Sequence, residues 1–249
     1  MSRGDTGGRS ALWTESALDA FWERELGFPE HSFSVKYGPG LVAMLRRHIC
    51  AGDDVLDYGC GPGRLSALLC SDVGANVWAT DRLAGAVEAA NRLNAAHPTF
   101  RGALAVGEFE GVTGRFDALV AVELLEHLPD DELDAFFGTA HRLLRAGGLL
   151  IVTTPNRERL EVKDVLCPSC GAVFHRWQHL RSIDAGRLRS WGTAAGFGVK
   201  EIVETDFGDR VPRFPGAARR WKGRIREPGA RGRARPHLVG VFARSPADR

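Results

Sequence analysis

Residues 54–65 read DVLDYGCGPGRL, and this stretch decides the fold. The short apolar strand at 55–56 runs into three glycines, Gly59, Gly61 and Gly63, and a helix is predicted to follow. Glycines adopt backbone angles that other residues avoid, and they leave room for a ligand against the main chain. A strand, a glycine turn and a helix in this order are typical of an α/β sheet that opens a nucleotide-type crevice.

The spacing of the glycines excludes two common nucleotide sites. A dinucleotide fingerprint needs GxGxxG, but Arg64 stands where its third glycine would fall. A P-loop is excluded because no Gly-Lys-Ser/Thr follows. The stretch resembles motif I of the class I S-adenosylmethionine (SAM)-dependent methyltransferases.

The downstream sequence carries the same resemblance. A second predicted strand, 76–80, ends in Asp81, about the ~20-residue step at which an acid meets ribose hydroxyls in such sheets. A fourth strand is predicted at 116–122, and the segment 143–155, LLRAGGLLIVTTP, resembles the post-motif segment of the family. Regular alternation of strands and helices predicts a mostly parallel sheet with helices on both faces. The resemblance implies a Rossmann-like α/β fold of seven strands, with a small Cys/His insert after strand five.

The resemblance also implies how SAM is bound. Asp57 is expected near its amino end, and Gly59, Gly61 and Gly63 along its methionine and ribose portion. Asp81 would take the ribose hydroxyls, Glu108 the adenine amino group, and Glu123 would line the floor of the site.

A candidate catalytic motif, Glu123-Leu-Leu-Glu126-His127, follows the fourth strand. It is similar to ExxEH in ubiquinone-pathway O-methyltransferases and in small-RNA 3′-terminal ribose 2′-O-methyltransferases, where it binds a divalent metal together with a later histidine. Three hypotheses stay open here. His127 with Glu126 is the catalytic base, or Glu123, Glu126, His127 and His179 bind a metal such as Mg²⁺, Mn²⁺ or Zn²⁺, or the motif is structural.

The insert carries a second constellation, with Cys167 and Cys170 followed by His175 and His179. Cys-x₂-Cys and His-x₃-His provide the ligand types of tetrahedral zinc. Zinc held by all four residues is one hypothesis, and a second sends one histidine into the Glu123–His127 site. In a third, the four residues bind nothing.

Length and composition bound the class of protein. The chain has 249 residues, 44% of them hydrophobic, and a formal net charge of +2. No apolar run is long enough to cross a membrane, and MSRGDTGGRS lacks the apolar core of a signal peptide. We therefore expect a cytoplasmic protein with reduced cysteines. The expected organisation is a tail and lid helices (1–50), then a SAM-binding domain (51–249) with a metal-binding insert (156–182) and an arginine-rich basic loop (209–237).

The leading hypothesis is a SAM-dependent methyltransferase that O-methylates a hydroxyl of a sugar or secondary metabolite, with His127 as base or metal ligand. One alternative is metal-dependent methylation of an RNA 3′-terminal ribose, with the basic loop holding phosphates. The basic loop is also compatible with docking on an anionic membrane surface. A third hypothesis is a non-catalytic scaffold that docks a partner through a zinc lobe.

Overall fold

The computed structural model describes residues 13–210 and 235–245. The helices are α1 (Glu15–Glu25), α2 (Phe33–Leu45), α3 (Arg64–Leu68), α4 (Ala84–Asn94), α5 (Asp130–Leu143) and α6 (Ala185–Ala194). The strands are β1 (Asp54–Tyr58), β2 (Asn76–Asp81), β3 (Phe100–Ala105), β4 (Phe116–Val122), β5 (Leu144–Pro155), β6 (Asp164–Leu166), β7 (Val173–His175), β8 (Phe197–Thr205) and β9 (His237–Arg244).

Seven strands form one sheet in the order β3-β2-β1-β4-β5-β9-β8. The neighbours from β3 to β5 pair in parallel, and β9 runs antiparallel between β5 and β8. The predicted seven-stranded, mostly parallel sheet is therefore confirmed. The chain first builds outward from β1 to β3 and then returns to place β4 on the other side of β1. This topological switch opens a crevice beyond the carboxyl ends of β1 and β4.

Apolar side chains are buried on both faces of the sheet. On one face α5 packs Phe136 and Leu143 against the sheet, and on the other α2 packs Leu41 and Leu45. Helices on both faces are thus confirmed. By contrast, α1 buries none of its residues, so of the two N-terminal helices only α1 lies outside the core.

From the sequence, the second of the predicted N-terminal lid helices is expected at 39–49, but α2 spans Phe33–Leu45 with Pro39 inside it. A proline normally begins or interrupts a helix because it lacks an N–H group. Close packing overrides this preference: a Cβ on Gly38 would lie 2.7 Å from Leu68, and one on Gly40 would lie 2.6 Å from the carbonyl oxygen of Phe207. Gly38 and Gly40, on either side of Pro39, thus allow α2 to pack closely against Leu68 and Phe207.

The insert leaves the sheet after β5, as predicted, and its two ends meet. Asn156 and Ile183 form a bridge, and the Arg157 N–H donates to the Ile183 carbonyl at 2.8 Å. Between them β6 and β7 form a separate antiparallel hairpin. Most of the predicted basic loop, residues 211–234, lies outside the described residues. Within the described part of the chain, no helix has the length and apolar character needed to cross a membrane.

Candidate active site

The glycine turn after β1 lies against the carboxyl end of β2. Gly59, Gly61 and Gly63 all have positive φ, at 75°, 49° and 76°. The Gly59 N–H donates to the Thr80 carbonyl at 2.8 Å, and the Gly61 N–H donates to the Asp81 carboxylate at 2.9 Å. The structure therefore brings together two features that lie about 20 residues apart, as the dinucleotide-type crevice requires.

These residues fit the sulfonium nucleoside that the resemblance implies. A Cβ on Gly61 would meet no atom within 4 Å, so a ligand can lie directly on the main chain there. Asp81 is half-buried at the edge of this space and accepts a second N–H, from Leu83, at 3.0 Å. Each carboxylate oxygen accepts one N–H and keeps a lone pair free, so both remain available to ribose hydroxyls.

Two further predicted cofactor residues differ in their surroundings. Asp57 is buried, and its carboxylate accepts from the Ser66 hydroxyl at 2.6 Å. Burial raises the pKa of Asp57 to about 7, and the nearby Asp81 charge adds to the shift. Asp57 thus links β1 to α3, the helix that follows the glycine turn. Glu108 is exposed, in the turn Val106–Phe109 that follows β3.

The two carboxyl groups of the ExxEH motif are anchored by the last residues of β5. Thr153 Oγ1 donates to Glu123 at 2.8 Å, and Thr154 Oγ1 donates to Glu126 Oε2 at 3.0 Å. Burial raises the pKa of Glu123 to about 8. Burial, and then the Glu123 charge, raises the pKa of Glu126 well above its usual range. The other Glu126 oxygen, Oε1, is buried without a hydrogen-bond partner among the described residues.

His127 lies between this unpartnered oxygen and the N-terminal helix. Its Nε2 is 3.9 Å from Glu126 Oε1, and the Trp22 ring of α1 meets its ring edge-on with centroids 4.8 Å apart. Burial, followed by the neighbouring His179, lowers the pKa of His127 well below its usual value. The imidazole is therefore neutral near pH 7 and can accept a proton or bind a cation.

The C-terminal part of the insert places His179 beside Glu126 and His127. The Leu180 N–H donates to the Glu126 carbonyl at 2.8 Å, and Arg181 pairs with Asp130 at 2.9 Å. These contacts hold the His179 ring 4.7 Å from the His127 ring, centroid to centroid. Glu126, His127 and His179 thereby offer one ligand atom each, all within 4.8 Å of one another.

A second group of potential metal ligands consists of Glu158, His175 and His179, and it shares His179 with the first group. Nδ1 of His179 contacts a Glu158 oxygen, and Lys163 Nζ lies 2.6 Å from the other oxygen. Although burial raises the pKa of Glu158, its interactions with His175 and His179 outweigh this effect and lower the pKa. The sequence reasoning missed Glu158. The signal was an acid just after strand five, beside the strand that carries ExxEH.

The structure does not gather the four residues of the first zinc hypothesis. Cys167 and Cys170 lie in the turn of the hairpin, and neither group of potential ligands in the described residues includes them. His175 pairs with Asp164 at the far end of the hairpin, about 10 Å from the turn at ~3.3 Å per residue. Of the alternative set, Glu126, His127 and His179 converge, whereas Glu123 is outside their group and faces Thr153.

Backbone strain is concentrated around this site. Among the described residues, the non-glycine residues with positive φ are Glu123, Arg157 and Gln178, at 50°, 50° and 61°. Glu123 directly follows β4, Arg157 comes just after β5, and Gln178 precedes His179. Such conformations persist where the surroundings enforce them, and they cluster at functional sites.

Comparison with known proteins gives consistent results. Residues 35–202 match a family model described as a methyltransferase domain. The ubiquinone biosynthesis O-methyltransferase of Pseudomonas aeruginosa (strain UCBPP-PA14) is 32% identical over 202 residues, which cover 76% of this chain and 82% of that relative.

Solved structures share the fold. A Burkholderia thailandensis 1,6-didemethyltoxoflavin-N1-methyltransferase with its substrate and S-adenosylhomocysteine bound has a TM-score of 0.64 at 18% identity, covering 92% of this chain and 87% of that one. A chain from the complex of the Haloferax volcanii Trm112 methyltransferase activator with a methyltransferase has a TM-score of 0.65 at 15% identity, covering 90% and 97%.

Proposed function

Because this chain belongs to the class I SAM-dependent methyltransferases, with a methyltransferase-domain match over residues 35–202, we propose that it methylates a hydroxyl oxygen of a small molecule. The relative named as an O-methyltransferase, 32% identical, supports oxygen as the acceptor atom. Membership of the family also favours catalysis over the scaffold hypothesis.

One observation carries the proposal: Glu126, His127 and His179 converge beside the glycine turn. The Leu124 side chain links the two features, because it lies 3.2 Å from where a Cβ on Gly59 would stand. Bound SAM supplies a sulfonium methyl group. The chain holds the nucleoside on Gly61 and Asp81 and presents the acceptor to it from the β4 side. Such alignment supplies on the order of 7–11 kcal/mol of the barrier reduction.

His127 is the group we assign to the hydroxyl proton. Its ring is neutral because burial lowers its pKa, and its Nε2 lies 3.9 Å from Glu126 Oε1. A side chain that removes a proton in this way contributes about 10²–10⁴-fold to the rate.

A divalent cation fits the same three residues. Glu126 Oε1 is a buried carboxylate oxygen without a partner in the described residues, and a cation would relieve the cost of its charge. His179 would bind through Nε2, since its Nδ1 faces Glu158. A carboxylate behind a ligating imidazole fixes the ring and its tautomer. A cation held there would lower the pKa of the acceptor hydroxyl, and His127 would then be a ligand.

Replacing His127 by alanine tests its role, whether it acts as a base or as a metal ligand. We expect His127→Ala to lower turnover about 10²–10⁴-fold and to leave the affinity for SAM, measured by isothermal titration calorimetry, within a factor of two or so. His141→Ala is the matched control, because His141 packs on Phe197 near the other end of α5. Full activity of the His127 variant would refute the assignment.

The acceptor class depends on the surroundings of His127. Trp22 lies beside the imidazole, and an indole offers a flat apolar surface to the ring of a sugar or a phenol. A screen of glycosides and phenols against RNA 3′ ends separates the small-molecule proposal from the RNA alternative. RNA as acceptor predicts binding that falls steeply with salt, whereas an uncharged acceptor does not.

A further inference from the structure

The turn between β6 and β7 contains Cys167 and Cys170 and is closed by backbone hydrogen bonds. The Cys167 N–H donates to the Ala172 carbonyl at 2.8 Å, and the Gly171 N–H donates to the Cys167 carbonyl at 2.9 Å. Gly171 adopts a φ of 71°, which closes the turn. One tight turn thus holds Cys167 and Cys170, three residues apart in the sequence.

Among the described residues, no further cysteine or histidine pair completes this site. All five cysteines and all eight histidines of the sequence lie within the described residues. No potential ligand group there contains a cysteine. His175 is buried with its Nε2 on the Glu158 side, 3.7 Å from Oε1, and its Nδ1 accepts the backbone N–H groups of Trp177 and His179, at 3.3 and 3.1 Å. Tetrahedral zinc needs four ligands, so the hairpin supplies half of a site.

The same part of the chain exposes apolar surface. We call residues 160–175 the cysteine hairpin. It contains four of the seven large apolar side chains that are exposed in the described residues, Val162, Val165, Leu166 and Val173. Leu166 and Val173 are direct cross-strand partners, and they are 65% and 51% exposed. An exposed apolar pair beside an incomplete ligand set indicates a surface that is covered by a partner.

We propose that the cysteine hairpin binds zinc between two copies of this chain, with Cys167 and Cys170 of each copy as the four ligands. A two-fold axis through the metal supplies both missing thiolates in one operation, and it also places the Leu166–Val173 pairs of the two copies together. Such an interface is closed, since the same surface is used on both sides. The hairpin has charges only at Glu161, Lys163 and Asp164, so two copies repel each other little.

The experiment measures metal content and assembly of the full chain together. Sedimentation velocity with and without a chelator gives the oligomeric state, and Co²⁺ titration counts thiolates through the intensity of the sulfur-to-cobalt charge-transfer band. We expect one metal per two chains, a four-thiolate spectrum, and dimer affinity at least tenfold weaker after chelation. Oxygen and nitrogen ligands give no such band, so metal bound at His127 does not contribute to this readout.

Substitutions of the cysteines and of Leu166 test the proposed zinc-linked dimer. Cys167→Ser with Cys170→Ser is expected to abolish the band and the metal-dependent dimer, whereas Cys50→Ser, at an exposed cysteine elsewhere, changes neither. Leu166→Glu places like charges across the axis and is expected to weaken the dimer at least tenfold. Unchanged SAM binding shows that each variant is folded. A monomer with one metal and two thiolates, a Cys167–Cys170 disulfide, no metal, or a dimer insensitive to Leu166→Glu would each overturn the proposal, whatever the methyl acceptor is.

Discussion

Gly61 and Gly63 are two residues apart in the same turn, but they serve different ends. A Cβ on Gly63 would lie 2.6 Å from the Asn94 side chain and 2.8 Å from the Ala90 Cα, whereas a Cβ on Gly61 would meet nothing within 4 Å. Gly63 therefore allows α3 to pack on α4, and Gly61 leaves open space, which we propose the cofactor occupies.

We predict opposite consequences for the two alanine variants. Gly63→Ala should lower the free energy of unfolding by roughly 2–4 kcal/mol, because it adds a clash to the strain of a positive φ. Gly61→Ala should cost only about 1 kcal/mol of stability but lower SAM affinity at least about tenfold, because its methyl group fills the cradle. Urea denaturation and SAM titration of both proteins check this. Equal SAM affinity of wild type and Gly61→Ala would refute the placement of the cofactor.

Substitution of Glu158 tests the proposed cation site, because Glu158 contacts His179, one of the proposed ligands. Its charge faces Nδ1 of His179, and an amide of the same shape would no longer fix that tautomer. We predict that Glu158→Gln weakens Mn²⁺ binding about 10–100-fold and that His179→Ala abolishes it, as measured by calorimetry. Glu161→Gln is the matched control, since Glu161 lies in the same segment but pairs with exposed Arg159 at 3.0 Å. Mn²⁺ bound equally by all these proteins would contradict the site, and no binding to wild type would leave His127 as a base without metal.

At the scale of elements, the centre of the sheet was predictable because β4 and β5 contain the apolar runs ALVAV (118–122) and LLIV (149–152). The ends of α2 were not, because tertiary packing of Gly38 and Gly40 overrides the usual effect of Pro39. The ExxEH motif was predictable for a similar reason, since it directly follows β4. Glu158 was not, because its role depends on how the insert folds back.

The cysteine and histidine pairs show why spacing alone is insufficient. Their separation of a few residues is short in sequence, and it suggested a single site. In the structure an antiparallel hairpin forms between them, with Cys167 and Cys170 in its turn and His175 three pairs away at its base. Successive side chains of a strand also point to opposite faces. Residues that are close in the sequence therefore do not have to face the same site.

Helix α1 is the element we expect to matter for the acceptor and little for stability. It buries none of its residues, but Trp22 lies against His127. We predict that Trp22→Ala lowers kcat/KM for the acceptor at least about tenfold, mainly through KM, and lowers the free energy of unfolding by less than about 1 kcal/mol. Trp22→Phe should restore most of the activity because it keeps a flat ring. A large loss of stability without a change in KM would assign α1 to the fold instead.

For the whole molecule, the buried titratable groups set how stability depends on pH. Burial raises the pKa of Asp57 to about 7 and that of Glu123 to about 8, above the usual ~4 of these groups in an unfolded chain. Between these values the folded protein holds protons that the unfolded chain has released, so stability falls as pH rises from about 4 to 8. Burial lowers the pKa of His127 and His179, so stability also falls as pH drops below about 6.5.

These opposing effects predict that the ligand-free protein is most stable at weakly acidic pH, and they give Asp57→Asn a distinctive signature. The asparagine can still accept a hydrogen bond from Ser66, which donates to Asp57 at 2.6 Å, but it never ionises. We expect the variant to match wild type near pH ~3–4 and to exceed it by roughly 2–4 kcal/mol at pH ~8. Urea denaturation across this range, with both proteins in the same buffers, isolates the contribution of Asp57 because the histidine effect is common to both. A difference in stability that does not change with pH would show that Asp57 is already ionised in the folded protein, and that the glycine turn is built around a buried charge.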